Sequence, residues 1–128
     1  MPKLAAEPRT AAATGSVIIP AHNEEASIGL CLSSLLADAK PGEFEVIVVC
    51  NGCSDDTANA ARAFGSRVRV IEIEVGSKII ALNLGNKAAR YFPRLYLDAD
   101  LELSTGSARA LLSAAAESHC LAAIGRME

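Results

Sequence analysis

The sequence predicts an α/β fold, a three-layer sandwich in which a mostly parallel sheet lies between helices. Two observations carry this. Short β-branched or apolar runs alternate with helical stretches along the chain, an order that joins parallel strands through crossover helices. Three of the runs are followed at once by polar clusters, at 21–25, 50–54 and 98–100. In open parallel sheets ligands bind beyond the carboxyl ends of the strands, so the topology would bring these clusters together.

The elements follow in order. Residues 1–15 are rich in Ala, Pro, Thr and Gly without a period and are predicted to be a flexible leader. Ser16-Val-Ile-Ile-Pro20 is a buried strand. Ile28, Cys31, Leu32 and Leu35 make one helical stripe, and Lys40-Pro41-Gly42 breaks the chain. Residues 44–49 form a second strand. Ser54 offers an N-cap for a helix with acids in its first turn, and Gly65 stops that helix near Phe64. Residues 67–75 alternate, with a slip at Val70-Ile71, which predicts an edge strand or a bulge. Gly76-Ser77-Lys78 opens a helix to about Arg90, with Ile80, Leu84 and Ala88 on its apolar face. Residues 94–97 are a fourth strand. Ser104 or Thr105 caps a last helix that buries Ala108, Leu111, Leu112 and Ala115, and residues 121–124 begin a fifth strand.

The 128 residues suffice for one domain with a core. Hydrophobic residues make up 51% and charged residues 21%, which is globular composition. A formal charge of −3 gives no reason to expect nucleic acid. No apolar run reaches the roughly 18 residues of a membrane span, and the start lacks a secretory h-region. A cytoplasmic protein is expected, with membrane association only through regions outside this sequence. Four cysteines without a secretion signal do not suggest a disulfide framework. The Cys50-x-x-Cys53 pair lies at a strand end rather than opening a helix, and lacks the partners of a zinc site.

Asp98 and Asp100, one residue apart after an apolar strand, supply hard oxygen ligands suited to Mg²⁺ or Mn²⁺ shared with a diphosphate. Asn23 and Glu24 offer hydrogen bonds to a ring amide or hydroxyl. Asn51 presents a donor and an acceptor, and Lys78 a cation for phosphate. Asn23 equally suits a helix cap, Glu24 a helix first turn, Asn51-Gly52 a turn and Lys78 a solvated surface. His22 has no second His or Cys at ligand spacing, and His119 reads as surface decoration. Neither the glycine-rich dinucleotide fingerprint nor the P-loop is present. Together the polar groups fit a nucleotide diphosphate.

These residues resemble the amino-terminal, nucleotide-sugar-binding part of the family 2 glycosyltransferases, which have the Rossmann-like GT-A fold. The similar stretches are Ser16-Val-Ile-Ile-Pro-Ala-His-Asn-Glu-Glu25, Glu45-Val-Ile-Val-Val-Cys-Asn-Gly-Cys-Ser-Asp-Asp-Thr57, Gly76-Ser-Lys-Ile-Ile-Ala-Leu-Asn83 and Tyr96-Leu-Asp-Ala-Asp100. The resemblance runs from residue 16 to the end. It implies that Pro20, Ala21 and Glu24 line the nucleoside pocket beside Asn23, and that Lys78 lies near ribose or phosphate. Asp98 would reach the ribose or sugar, and Asp100 of this DxD motif would hold the metal. Asn51 stands where the family often has an aspartate that contacts the base. The implied activity is metal-assisted transfer of a sugar from a nucleotide diphosphate sugar, a UDP-sugar foremost, to an acceptor with inversion. Asp55, Asp56, Glu102 and Glu117 do not match the family's catalytic base. The expectation is therefore a donor-binding part, 16–128, without the acceptor half and inactive alone. A sugar nucleotidyltransferase-like enzyme and a non-catalytic nucleotide-binding or assembly module are the alternatives. An incomplete sheet edge would leave room for a homo-oligomer.

Overall fold

A computed structural model describes residues 12–118 and 122–124. It contains a five-stranded sheet in the order β3-β2-β1-β4-β5. The strands are β1 (Gly15–Ala21), β2 (Phe44–Asn51), β3 (Val68–Ile73), β4 (Arg94–Leu97) and β5 (Ala122–Ile124). Every pairing among them is parallel. The helices are α1 (Ile28–Leu36), α2 (Thr57–Arg62), α3 (Lys78–Ala88) and α4 (Thr105–Ser118). Residues 1–11 of the predicted leader, His119 and Cys120 lie outside the described residues. Among the described residues no helix is long and apolar enough to cross a membrane.

β1 and β2 are buried along their whole length, the polar Ser16, Glu45 and Asn51 included, as largely apolar strands in a doubly covered sheet are. One face carries the larger core, where Ile28, Cys31, Leu32 and Leu35 of α1 meet Val17, Ile19, Val46 and Val48. Ala108 and Leu112 of α4 and Ala61 of α2 join the same core. The other face carries a smaller core, in which α3 packs Ala81 against Ile18, Ile47 and Val49. β3 lies at the sheet edge, as its half-polar alternation predicts.

Two local expectations need correction. In α3 the fully buried line is Ala81, Gly85 and the capping Ala89, while Leu84 and Ala88 of the predicted face pack partly buried against the same core and Ile80 is 46% exposed. The stripe turns by one residue because α3 presses its backbone onto the sheet. A Cβ on Gly85 would lie 2.5 Å from Cγ2 of Ile18, so only small residues fit the contact. The helix after β2 begins at Thr57 rather than after a Ser54 cap. Asn23 Oδ1 accepts the amide of Ser54 at 2.7 Å and that of Asp55 at 3.3 Å. Asp55 in turn accepts the amide and hydroxyl of Thr57. Ser104 does act as a cap for α4, its hydroxyl accepting the Ser107 amide at 3.0 Å.

Candidate functional site

The chain runs outward from β1 to β3 and then returns across β1 to place β4 on its far side. The loops leaving β1 and β4 therefore diverge, and a crevice opens between them at the switch point. A cavity of about 400 Å³ lies there, lined by Pro20, His22 and Glu24 after β1, Asn51 at the end of β2, Lys78 at the start of α3, and Asp98 to Asp100 after β4. Residues from four separate stretches thus meet at one place.

Burial fixes the walls. Asn51 is 3% exposed, and its Nδ2 donates to the carbonyl of Ala21 at 3.1 Å. That bond ties β1 to β2 at the cavity wall and leaves Oδ1 with acceptor capacity there. The carbonyl of Asn51 receives Nδ1–H of His22 at 2.7 Å, which makes Nε2 the acceptor when the ring is neutral. Gly52 follows with φ +59, and a Cβ there would lie 2.7 Å from Cα of Gly76. Only glycine allows the loops after β2 and β3 to approach so closely. Ser77 accepts the Ile80 amide at 3.2 Å and caps α3, which sets Lys78 in the first turn at the cavity.

The acidic turn is held from below. Ala99 is buried in the larger core, and Leu101 donates to the carbonyl of Asp98 at 3.2 Å. Asp98 and Asp100 flank that buried anchor. Nζ of Lys78 sits 2.7 Å from Oδ1 of Asp98, with the lysine side chain 48% and the aspartate 16% exposed. Glu24 accepts the Ser27 hydroxyl at 2.9 Å, and its amide donates to Oγ1 of Thr57. Three carboxylates, Glu24, Asp98 and Asp100, face one ammonium, Lys78. Their field reaches Cys31 beneath. Its thiol is pushed up to about 12 by burial first, and then by the charges of Asp100, Glu24 and Glu102.

Most sequence-predicted site residues are brought together here, namely Pro20, Glu24, Asn51, Lys78, Asp98 and Asp100. Two are not part of the lining. Ala21 is buried, and its carbonyl accepts from Asn51 and from the Cys53 thiol at 3.4 Å. Asn23, at φ +52, spends its side chain on the amides that lead into α2. Both support the wall from behind. It is the loop to α2, not α1, that Asn23 caps, since Ser27 holds the N-cap position of α1, without a side-chain cap hydrogen bond. His22 is the lining residue that its sequence does not reveal, because a lone histidine gains meaning only from the Asn51 carbonyl across the loop. Cys50 is buried, and its thiol is raised to about 12 by burial and then by Cys53, which suits packing rather than redox exchange.

The glycosyl transferase family 2 sequence model matches residues 16–128. The chain belongs to this family. The family 2 chain is 32% identical over 105 residues to the glycosyltransferase AglE of Haloferax volcanii, covering 81% of this chain and 31% of that protein. It is 43% identical over 53 residues to the 4,4'-diaponeurosporenoate glycosyltransferase of Staphylococcus aureus, covering 41% and 14%. Its fold matches the crystal structure of S. aureus TarS 1-349 with a TM-score of 0.72 at 27% identity, over 81% of this chain and 32% of that one. The match to TarS 1-349 in complex with UDP-GlcNAc has a TM-score of 0.67 at 27% identity, over 81% and 31%. This family 2 chain thus spans about a third or less of the relatives it matches.

Proposed function

We propose that residues 16–128 bind the donor of a glycosyltransferase that moves a sugar from a nucleotide diphosphate sugar, UDP-linked, to an acceptor hydroxyl with inversion. The observation that carries this reading is the meeting of Asn51, Lys78, Asp98 and Asp100 in one crevice at the switch point. The TarS complex, which holds UDP-GlcNAc on a similar fold, supports the choice of donor.

Each residue then has a physical task. Asn51 offers its Oδ1 to a ring N–H of the base, the bond a uracil imide supplies. Pro20 gives the base an apolar wall. Lys78 neutralises phosphate charge once it leaves Asp98, a modest cost for a half-exposed pair. The cavity also bears on the cation. It holds an excess of two negative charges, and a diphosphate entering it would be repelled. Asp98 and Asp100 match a hard divalent cation that shares its remaining ligands with phosphates and water. Among the described residues no cluster of three ligands forms a ready-made metal cage, which fits an ion that arrives with its nucleotide. Bound there, Mg²⁺ or Mn²⁺ would stabilise the charge of the leaving diphosphate. Asp98, Asp100 and Lys78 hold that end of the donor, and the opposite face of the sugar is left to the acceptor. Inversion then requires a base on the acceptor side, and donor binding without turnover is the expected behaviour of this chain.

Calorimetric titration with UDP, with and without Mn²⁺, tests the reading. Saturable binding that strengthens with Mn²⁺ is expected. Affinity that is independent of metal and survives Asp100→Ala would overturn the metal role, and absence of UDP binding at millimolar concentration would overturn the donor site. Binding of UDP with no transfer by a longer protein that contains this domain would favour the assembly-module reading.

A further inference from the structure

The opposite end of the sheet carries a second cavity, of about 260 Å³, beside the amino-terminal ends of β2 and β3. Arg67, Arg69 and Arg90 line it, with Ser66 and Tyr91. A smaller cavity of about 150 Å³ adjoins it through Phe44, Ser66 and Arg67 and adds Lys40. This concentration of cations stands in a chain whose formal charge is −3.

The three guanidinium groups are not equivalent. Arg90 is committed, with Nε donating to Oε2 of Glu45 at 2.8 Å and its amide to Oε1 at 2.7 Å. Among the described residues neither Arg67 nor Arg69 forms a salt bridge. Arg69 donates one Nη1 contact of 3.3 Å to the carbonyl of Ala88. Arg67 lies over the Phe64 ring at 5.6 Å. A guanidinium at that distance is attracted by the ring face without using any of its N–H donors. Two guanidinium residues and a serine lining one concavity supply the kinds of donor that phosphate oxygens take, the guanidinium in bidentate fashion.

We propose that this cavity is a phosphate-binding site, distinct from the donor crevice, in which Arg67 and Arg69 hold the phosphate group of a small anion or of a lipid headgroup. Its sign sets it apart from the crevice at the other end. An excess of guanidinium binds phosphate directly, so this site needs no divalent cation.

The experiment titrates the ¹⁵N-labelled full chain with inorganic pyrophosphate in the presence of EDTA. The expected result is saturable shifts at the Ser66 and Arg67 amides and the Arg69 Nε–H, with smaller ones at Asn51 and Asp98 to Asp100. Arg67→Gln with Arg69→Gln should weaken binding roughly tenfold without lowering the melting temperature, since both side chains are at the surface. Arg67→Lys with Arg69→Lys keeps the charge but not the fork and should fall between. A second arm sediments the protein with phosphatidylcholine vesicles with or without phosphatidic acid. Capture by phosphatidic acid that both arginines are needed for identifies a lipid source, and pyrophosphate binding without capture identifies a free one. Shifts confined to the carboxyl end, shifts that stay linear with concentration, or a double Gln variant with unchanged affinity would each overturn the proposal.

Discussion

The two ends of the sheet are built from the same kind of parts with opposite sign. At the carboxyl end three carboxylates face one ammonium, and at the amino end three guanidinium groups face one carboxylate. In each the minority charge forms an ion pair, Lys78 with Asp98 at 2.7 Å and Glu45 with Arg90 at 2.8 Å. Their burial differs. Glu45 is 8% exposed and saturated, accepting also from the Ser16 hydroxyl at 2.7 Å. Burial pushes its carboxyl upward, but the amide of Arg90, the hydroxyl of Ser16 and the Arg90 guanidinium outweigh that and hold it below its ordinary value. Lys78 remains half-exposed and can exchange partners. The Arg90 side chain is itself 69% exposed, so what fixes Glu45 is the convergence of the Ser16 hydroxyl and the Arg90 amide on a buried carboxylate, whereas the half-exposed Lys78 makes a contact that a ligand can replace.

The largest effect should separate the ends by ligand. Asp100→Ala should weaken Mn²⁺-dependent UDP binding by about a hundredfold, while pyrophosphate affinity measured in EDTA stays as it was. A loss of both would break the distinction. Next in size, Glu45→Ala strips the acceptor from the Ser16 hydroxyl and the Arg90 amide and should destabilise by ~2 kcal/mol. A thermal melt would read this as a fall of about 8 °C or more, with the carboxyl-end cavity still binding UDP when folded. Gly85→Ala sharpens the comparison because it touches neither cavity. The clash with Ile18, 2.5 Å from the added Cβ, outweighs the better helix propensity and should cost ~1 kcal/mol. Denaturant midpoints would fall while both affinities persist.

The smallest effect concerns acid. Glu43 receives two hydrogen bonds from Arg109, at 2.6 and 2.8 Å, and these chiefly lower its carboxyl from 4.5 to about 2. A depressed carboxyl contributes stability that is whole above its unfolded value. That contribution should fade as pH falls from 4.5 towards 2. Arg109→Gln should flatten this part of a stability-against-pH curve, and an unchanged curve would show the pair to be inert.

The sequence reports what repeats along the chain. Val17 to Ile19, Val46 to Val49 and the Ile28-Cys31-Leu32-Leu35 stripe were legible because burial on a strand or helix face imposes a period. Asp98 and Asp100 were legible because a strand delivers both to one turn. The rotation of α3 was not, since Ile80, Leu84 and Ala88 have the right spacing for a stripe. What turns the helix is the fit of Gly85 against Ile18, a contact between residues far apart in sequence. Nor was His22, whose partner is a carbonyl on another loop.

By itself, then, the chain order determined the alternation of strand and helix, the parallel sheet and the delivery of polar residues to strand ends, because these follow from local periodicity and short connections. Only the tertiary structure decided which residues line the crevice and which brace it. Pro20 and Ala21 are neighbours in sequence, yet one lines the crevice and the other turns its carbonyl to Asn51 and Cys53. The reason is that burial and hydrogen-bond satisfaction are properties of the assembled neighbourhood, and a residue type carries neither until its neighbours from distant segments are in place.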